Sequence, residues 1–164
     1  VQVRKGFTLI ELLVVISIIG LLAAAGLATY TSAQKRARDA KRKMDMRAMY
    51  SAVEAYYTAY NKYPSTGGSW WGVSDNGGNR ATSGANAYIP GLVPDFITVL
   101  PTDLRGITSG WSGYLYRSDG TQFKLLSHSS GPESFPSAGE AFYDPVRPTW
   151  AWMLCSGGAV CTTW

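Results

Sequence analysis

An apolar run from Phe7 to Ala28 carries a single charge, Glu11, in 22 residues. At about 1.5 Å of rise per residue, such a run is long enough to cross a bilayer core of about 30 Å. A segment apolar on all sides must lie in lipid or against other apolar helices, and this limits every fold open to the chain. A carboxylate inside it costs about 2.5–3.5 kcal/mol even on lenient insertion scales, so Glu11 calls for a partner. The plainer alternative is a signal anchor that tolerates Glu11 near the membrane interface.

The residues around this carboxylate form a pattern. Lys5-Gly6-Phe7-Thr8-Leu9-Ile10-Glu11 resembles the class III signal of type IV pilins and of the related type II secretion pseudopilins. The resemblance implies that residues 1–6 are a leader, that a prepilin peptidase cuts after Gly6, and that the new N-terminus at Phe7 is methylated. It also implies that Glu11 faces the charged amine of a neighbouring subunit's Phe7. Physical chemistry agrees, because a carboxylate and an ammonium buried together offset each other's desolvation and favour one register of assembly. The likeness covers about the first 30 residues most fully, extends to Pro64 and is loose beyond.

The domain plan follows: leader 1–6, membrane or filament-core helix 7–30, amphipathic second half of that helix 31–62, and a globular head 63–164. The expected class is α+β, a long N-terminal helix packed on a small antiparallel sheet. Proline is absent until Pro64, so one helix is expected from Phe7 to about Asn61, stopped by Tyr63-Pro64. Met46, Met49, Val53, Tyr56, Tyr57 and Tyr60 keep a helical rhythm and should lie beneath the sheet. About 55 residues at 1.5 Å each would make a rod on the order of 80 Å, which suits a filament core. Residues 65–87, rich in Gly, Ser, Asn and Thr, read as a loop, with Trp70-Trp71 either a contact surface or a cap on the core.

Further on, Leu100-Pro101-Thr102-Asp103 is similar to the Leu-Pro-x-Asp-Pro turn of major pseudopilins, with Leu104 where that family often has proline. Trp111 to Arg117 and Phe123 to Ser127 read as a hairpin about Ser118-Asp119-Gly120. A last strand is expected near Ala141-Phe142-Tyr143 or Trp150-Ala151-Trp152-Met153, for three or four strands in all.

The net charge of +4 is uneven. Lys35, Arg36, Arg38, Lys41, Arg42, Lys43 and Arg47 stand against Asp39 and Asp45 in a basic collar. Charge-orientation rules alone would place the head in the cytoplasm. The leader motif and the cysteines point the other way, and that reading is adopted. The collar suits DNA or phosphate binding, or a solvated face that pairs with acids of adjacent subunits; the second is preferred. Cys155 and Cys161, separated by Ser-Gly-Gly-Ala-Val, can close a small disulfide loop in an oxidising compartment. Two thiols without nearby His or Cys fall short of the four ligands of a structural metal site.

Catalytic patterns do not emerge. His128 is the single histidine, and there is neither a phosphate-binding glycine loop nor a paired-His helix motif. The major-pseudopilin resemblance implies calcium after the last core strand, but Ser127 to Glu133 lacks the aspartates. Glu133, Glu140 and Asp144 offer oxygens without that family's spacing, so the calcium site is not carried over; calcium stays an open alternative, and no other cofactor is expected. The expected function is a structural subunit that assembles with copies of itself into a pilus serving adhesion, motility or DNA uptake. Its precursor would sit in the inner membrane with the head outside the cytoplasm, and an ATPase and platform protein elsewhere would extend the filament. The alternatives are a pseudopilin in a periplasmic secretion filament, a DNA-uptake fibre using the collar, and a membrane-anchored binding domain.

Overall fold

The computed structural model describes residues 6–74, 80–105, 110–128 and 131–164. Leader residues Val1 to Lys5 lie outside the described residues, as do 75–79 of the expected loop and Ser129-Ser130 of the calcium-like stretch. The chain forms two compact units, Val1–Ala37 and Arg38–Trp164.

Helix α1, Leu9–Tyr60, is continuous over 52 residues and contributes to both units. It opens on a reciprocal cap. The Thr8 hydroxyl accepts from the Glu11 amide at 3.3 Å, and Glu11 Oε2 accepts from the Thr8 amide at 2.8 Å and the Thr8 hydroxyl at 2.6 Å. This capping box satisfies backbone donors that a helix start leaves without partners. Within the first unit the large apolar side chains from Phe7 to Leu27 are exposed, Phe7 at 87%. By length and composition α1 is able to cross a membrane.

The second unit holds a four-stranded antiparallel sheet in the order β1-β2-β3-β4. Its strands are β1 Trp71–Ser74, β2 Ser112–Ser118, β3 Phe123–His128 and β4 Ala151–Cys155. Tyr116 stands opposite Leu125, and Leu125 opposite Leu154. Period-two alternation sends Tyr114, Tyr116, Phe123, Leu125 and Trp152 to one face. There they bury Met46, Met49 and Val53 of α1 together with Tyr88, Ile89, Leu92 and Leu100. The hairpin forms where the sequence indicates, closed by Asp119 Oδ1, which accepts from the Thr121 amide, the Thr121 hydroxyl and the Gln122 amide.

Two expectations need correction. The segment read as loop contains strand β1, because Gly72 allows an approach to β2 that a side chain would block. A Cβ there would meet Leu115 Cδ2 at 2.5 Å and the Tyr114 carbonyl at 2.8 Å. The helix ends at Tyr60, as expected to within a residue of Asn61, which lies in the left-handed region at φ 54°. Tyr57 and Tyr60 remain partly exposed rather than joining the core stripe; Tyr57 stacks on Tyr63 at 4.5 Å. Of the two candidates for the last strand, the second forms β4, while Tyr143 makes only an isolated bridge to Trp152.

Gly72→Ala should lower the unfolding free energy of the full chain in detergent by about 1–3 kcal/mol. Urea titration followed by circular dichroism checks this, and an unchanged midpoint would mean that β1 shifts freely.

Candidate functional site

In the first unit the sequence singles out Gly6, Phe7 and Glu11. A Cβ on Gly6 would meet nothing within 4 Å, so packing does not demand a glycine there. Phe7, just ahead of α1, lines a shallow groove together with Glu11 and Val14. Glu11 uses Oε2 for the cap on Thr8, which leaves Oε1 without a partner among the described residues. Thr-x-x-Glu ahead of an apolar run is the sequence signature of this cap.

In the second unit the basic collar splits. Helical periodicity carries the core stripe of Met46, Met49 and Val53 back through Asp45 and Arg42 to Asp39, and all three charged residues are buried. Arg42 is forked onto Asp103, with Nε at 2.6 Å from Oδ2 and Nη2 at 3.0 Å from Oδ1, and its Nη1 donates to Asp39 at 2.9 Å. Burial opposes the Arg42 charge, but Asp103 and Asp39 outweigh it and hold the guanidinium above its ordinary value. Arg38 makes a two-point pair with Glu133 through Nε–Oε1 and Nη2–Oε2. The Glu133 amide and the Ser134 hydroxyl donate back to Asp39 at 3.0 and 2.7 Å. Asp45 pairs with Lys41 and accepts from the Tyr114 hydroxyl at 3.0 Å.

The collar is therefore not a uniformly solvated face. Arg38 and Arg42 close onto carboxylates of their own chain, because the helix turns them toward the head. Lys43 and Arg47 lie over aromatic rings, Lys43 at 5.0 Å from Trp152 and Arg47 at 5.3 Å from Phe142. They line a cleft of about 370 Å³ with Phe135 and Glu140. Lys35 and Arg36, in the first unit, are exposed.

The disulfide Cys155–Cys161 is present, with a Cα separation of 5.7 Å, and joins β4 to the short helix α2, Val160–Thr163. Beside it lies a buried ion pair that sequence reading did not reveal. Lys124 Nζ donates to Asp144 Oδ1 at 3.0 Å, to the Cys161 carbonyl at 3.2 Å and to the Trp164 main-chain oxygen at 2.7 Å. Burial pushes the Lys124 ammonium below its ordinary value, against the pull of Asp144. A lysine inside an aliphatic strand gives no sequence sign of where it points; the later Asp144 was the available hint. His128 is buried on the same face, its Nδ1 at 2.8 Å from the Trp111 carbonyl, and burial lowers its proton affinity. The oxygens considered for calcium are engaged: Glu133 with Arg38, Asp144 with Lys124, and Glu140 with the Ser137 amide. Among the described residues no cluster of three or more His, Cys, Asp or Glu could hold a metal ion.

Comparison with known proteins adds an independent line. Residues 2–27 match the family model described as the prokaryotic N-terminal methylation motif. The chain is 35% identical over 60 residues to the type IV major pilin protein PilA of Myxococcus xanthus, covering 37% of this chain and 27% of that protein. It is 43% identical over 61 residues to the type IV major pilin protein PilE1 of Neisseria gonorrhoeae, covering 37% of each. Both matches thus span well under half of those pilins' own length. A longer match is to the fimbrial protein EcpC of Eikenella corrodens, 31% identical over 126 residues, covering 77% of this chain and 74% of that protein. No solved structure matches the chain.

Two measurements probe the network. Arg42→Ala strands buried carboxylates and should lower stability by about 3–5 kcal/mol in urea titration, far more than Lys35→Ala. Stability should also fall on acidification. Arg38 holds the Glu133 carboxyl below its usual range, and burial does the same for the His128 imidazolium. Both folded values lie below the unfolded ones, so each contribution is whole above the unfolded value and is lost as pH falls through the folded one. The decline should begin near the ordinary histidine value of about 6.5. His128→Asn should flatten that first part and leave the later, carboxylate part intact; an unaltered pH profile in this variant would remove His128 from the account.

Proposed function

Because the chain belongs to the type IV pilin family, we propose that it is the structural subunit of a pilus filament, made as a membrane-anchored precursor and assembled through α1. The observation that carries this reading is the exposure of every large apolar side chain from Phe7 to Leu27. Such a surface must be covered, at roughly 25 cal/mol per Å² of apolar area removed from water. Lipid covers it before assembly, and helices of neighbouring copies cover it afterwards.

In this reading a prepilin peptidase cuts after Gly6. The absence of any packing demand for glycine supports a role in recognition by that enzyme rather than in folding. The cut frees the Phe7 amine, and its methylation leaves the charge. Glu11 then serves two partners. Oε2 stays on Thr8, and Oε1 accepts the Phe7 amine of an adjacent copy, which sets the stagger between neighbours. The disulfide supports a head outside the cytoplasm. A pseudopilus would use the same helix and the same pair; the relatives named as pilins and fimbrial proteins favour a pilus. Extension falls to an ATPase and a platform protein on other chains.

Glu11→Gln separates the two roles of this residue, since glutamine also completes a capping box but carries no charge. The variant should mature normally, as judged by intact mass, while filament recovered by shearing drops about tenfold or more, an energy near 1.4 kcal/mol. Full filament yield would sink the intersubunit pair. Gly6→Leu should leave the leader attached, and a correctly trimmed product would remove Gly6 from the recognition site.

A further inference from the structure

Strand alternation places Leu115 and Arg117 of β2, and Leu126 and His128 of β3, on the face opposite the α1 stripe. Leu115 and Leu126 are nonetheless buried. Three tryptophans distant in sequence, Trp70, Trp111 and Trp150, converge above them with His128 and Arg147 around a cleft of about 220 Å³. Trp150 stays 50% exposed and Trp111 37%, so both still present indole surface to solvent. We propose that this cleft binds an acidic saccharide, one sugar ring stacking its apolar face on Trp150 or Trp111 while its carboxylate meets the guanidinium groups at the border.

Size, ring chemistry and charge each narrow the ligand. Drug-sized molecules occupy pockets of about 300–1,000 Å³, so this smaller cleft takes one ring-sized unit of a longer chain. Indoles are rigid and amphipathic, which suits a ligand with an apolar face and a polar rim. Charge selects for acid. Arg117 stacks over Trp164 at 4.4 Å and Trp70 at 5.8 Å, and Arg147 over Trp70 at 5.4 Å. Arg147, which lines the cleft, spends Nη1 on the Trp164 main-chain oxygen at 2.9 Å and on Asp144 at 3.4 Å, a carboxylate already held by Lys124. Its Nε and Nη2 have no partner among the described residues. Arg117 stands outside the lining, over Trp70, and has no carboxylate partner among the described residues. Its Nε is buried without a hydrogen bond, so its two terminal nitrogens are the edge a ligand would meet. A guanidinium fixed flat on an indole keeps its N–H edge available for a planar carboxylate. Single-stranded nucleic acid would need a row of cations tracking its backbone, and among the described residues the lining holds one, Arg147, with Arg117 over Trp70 beside it. The cleft lies wholly within the Arg38–Trp164 unit, so the proposal stands apart from Glu11 and filament assembly.

The test titrates the full chain in detergent micelles with oligogalacturonate, reading tryptophan fluorescence and heat. A neutral galacto-oligosaccharide of equal length and an oligothymidylate run alongside. Saturable binding of the acidic oligomer is expected, weakening with salt. Trp150→Ala and Arg117→Gln should each reduce affinity about tenfold or more, and Arg117→Gln should also erase the preference for acid over neutral sugar. Arg117→Gln decides the matter if Trp150→Ala lowers folded content. Three results would overturn the proposal: no saturation with oligogalacturonate, equal binding of the neutral sugar, or binding of oligothymidylate in its place.

Discussion

The fork between Arg42 and Asp103 is the contact on which the head's seat on its own segment of helix depends. Apolar stripes specify position loosely: Met46, Met49 and Val53 are similar in size, and a slide by one turn would exchange one for another. A planar guanidinium with two hydrogen bonds to one carboxylate and a third to Asp39 does not permit that slide. Its net contribution to stability need not be large, since desolvation offsets much of the attraction. What it supplies is discrimination. Arg42 is fully buried, so any displaced packing leaves a charge without a partner in a low-dielectric site.

Glu11 shows the same physics with a different outcome. Asp103 is saturated by its own chain, accepting from Arg42 and from the Arg105 amide, and has little left to offer elsewhere. Glu11 is only half used. Its cap on Thr8 makes the carboxylate tolerable in an apolar segment, and the remaining oxygen keeps a demand for a cation. In the proposed assembly that spare oxygen is the one the Phe7 amine of a neighbouring copy would take. The contrast explains why a single acid in 22 residues stands out in the sequence while several acids of the head do not.

Elements that depend on near neighbours were legible from the sequence: the helix, the hairpin about Asp119, the closely spaced disulfide, the Met46–Val53 stripe and the Glu11 motif. Elements that depend on distant partners were not. Arg42 meets a residue 61 positions away and Arg38 one 95 positions away. Charged residues on a helix usually mean a solvated face, so Asp39, Arg42 and Asp45 read as part of a collar, although they continue the spacing of the core stripe. The same holds for β1, where a glycine-rich surrounding suggests a loop. Only the approach to Leu115 makes Gly72 a strand residue. Periodicity was the better guide than polarity at both places.

The sheet's two faces are finished by different means, and this difference bears on what each can do. One face is sealed by α1 and the aromatic core. The other is closed by the chain's own later segments: α2 tethered by the disulfide, Lys124 bound to Asp144 and to two main-chain oxygens, and tryptophans laid over Leu115 and Leu126. The covalent loop and the buried ion pair support one another. The Cys161 and Trp164 oxygens that partner the Lys124 ammonium are held in place by the bridge, and the ammonium in turn holds the segment down. A surface pinned at both points keeps its aromatic side chains oriented before any ligand arrives, which lowers the ordering cost of binding. Rigidity here comes from polar and covalent ties, so exposed indoles can remain exposed without being needed to hold the fold.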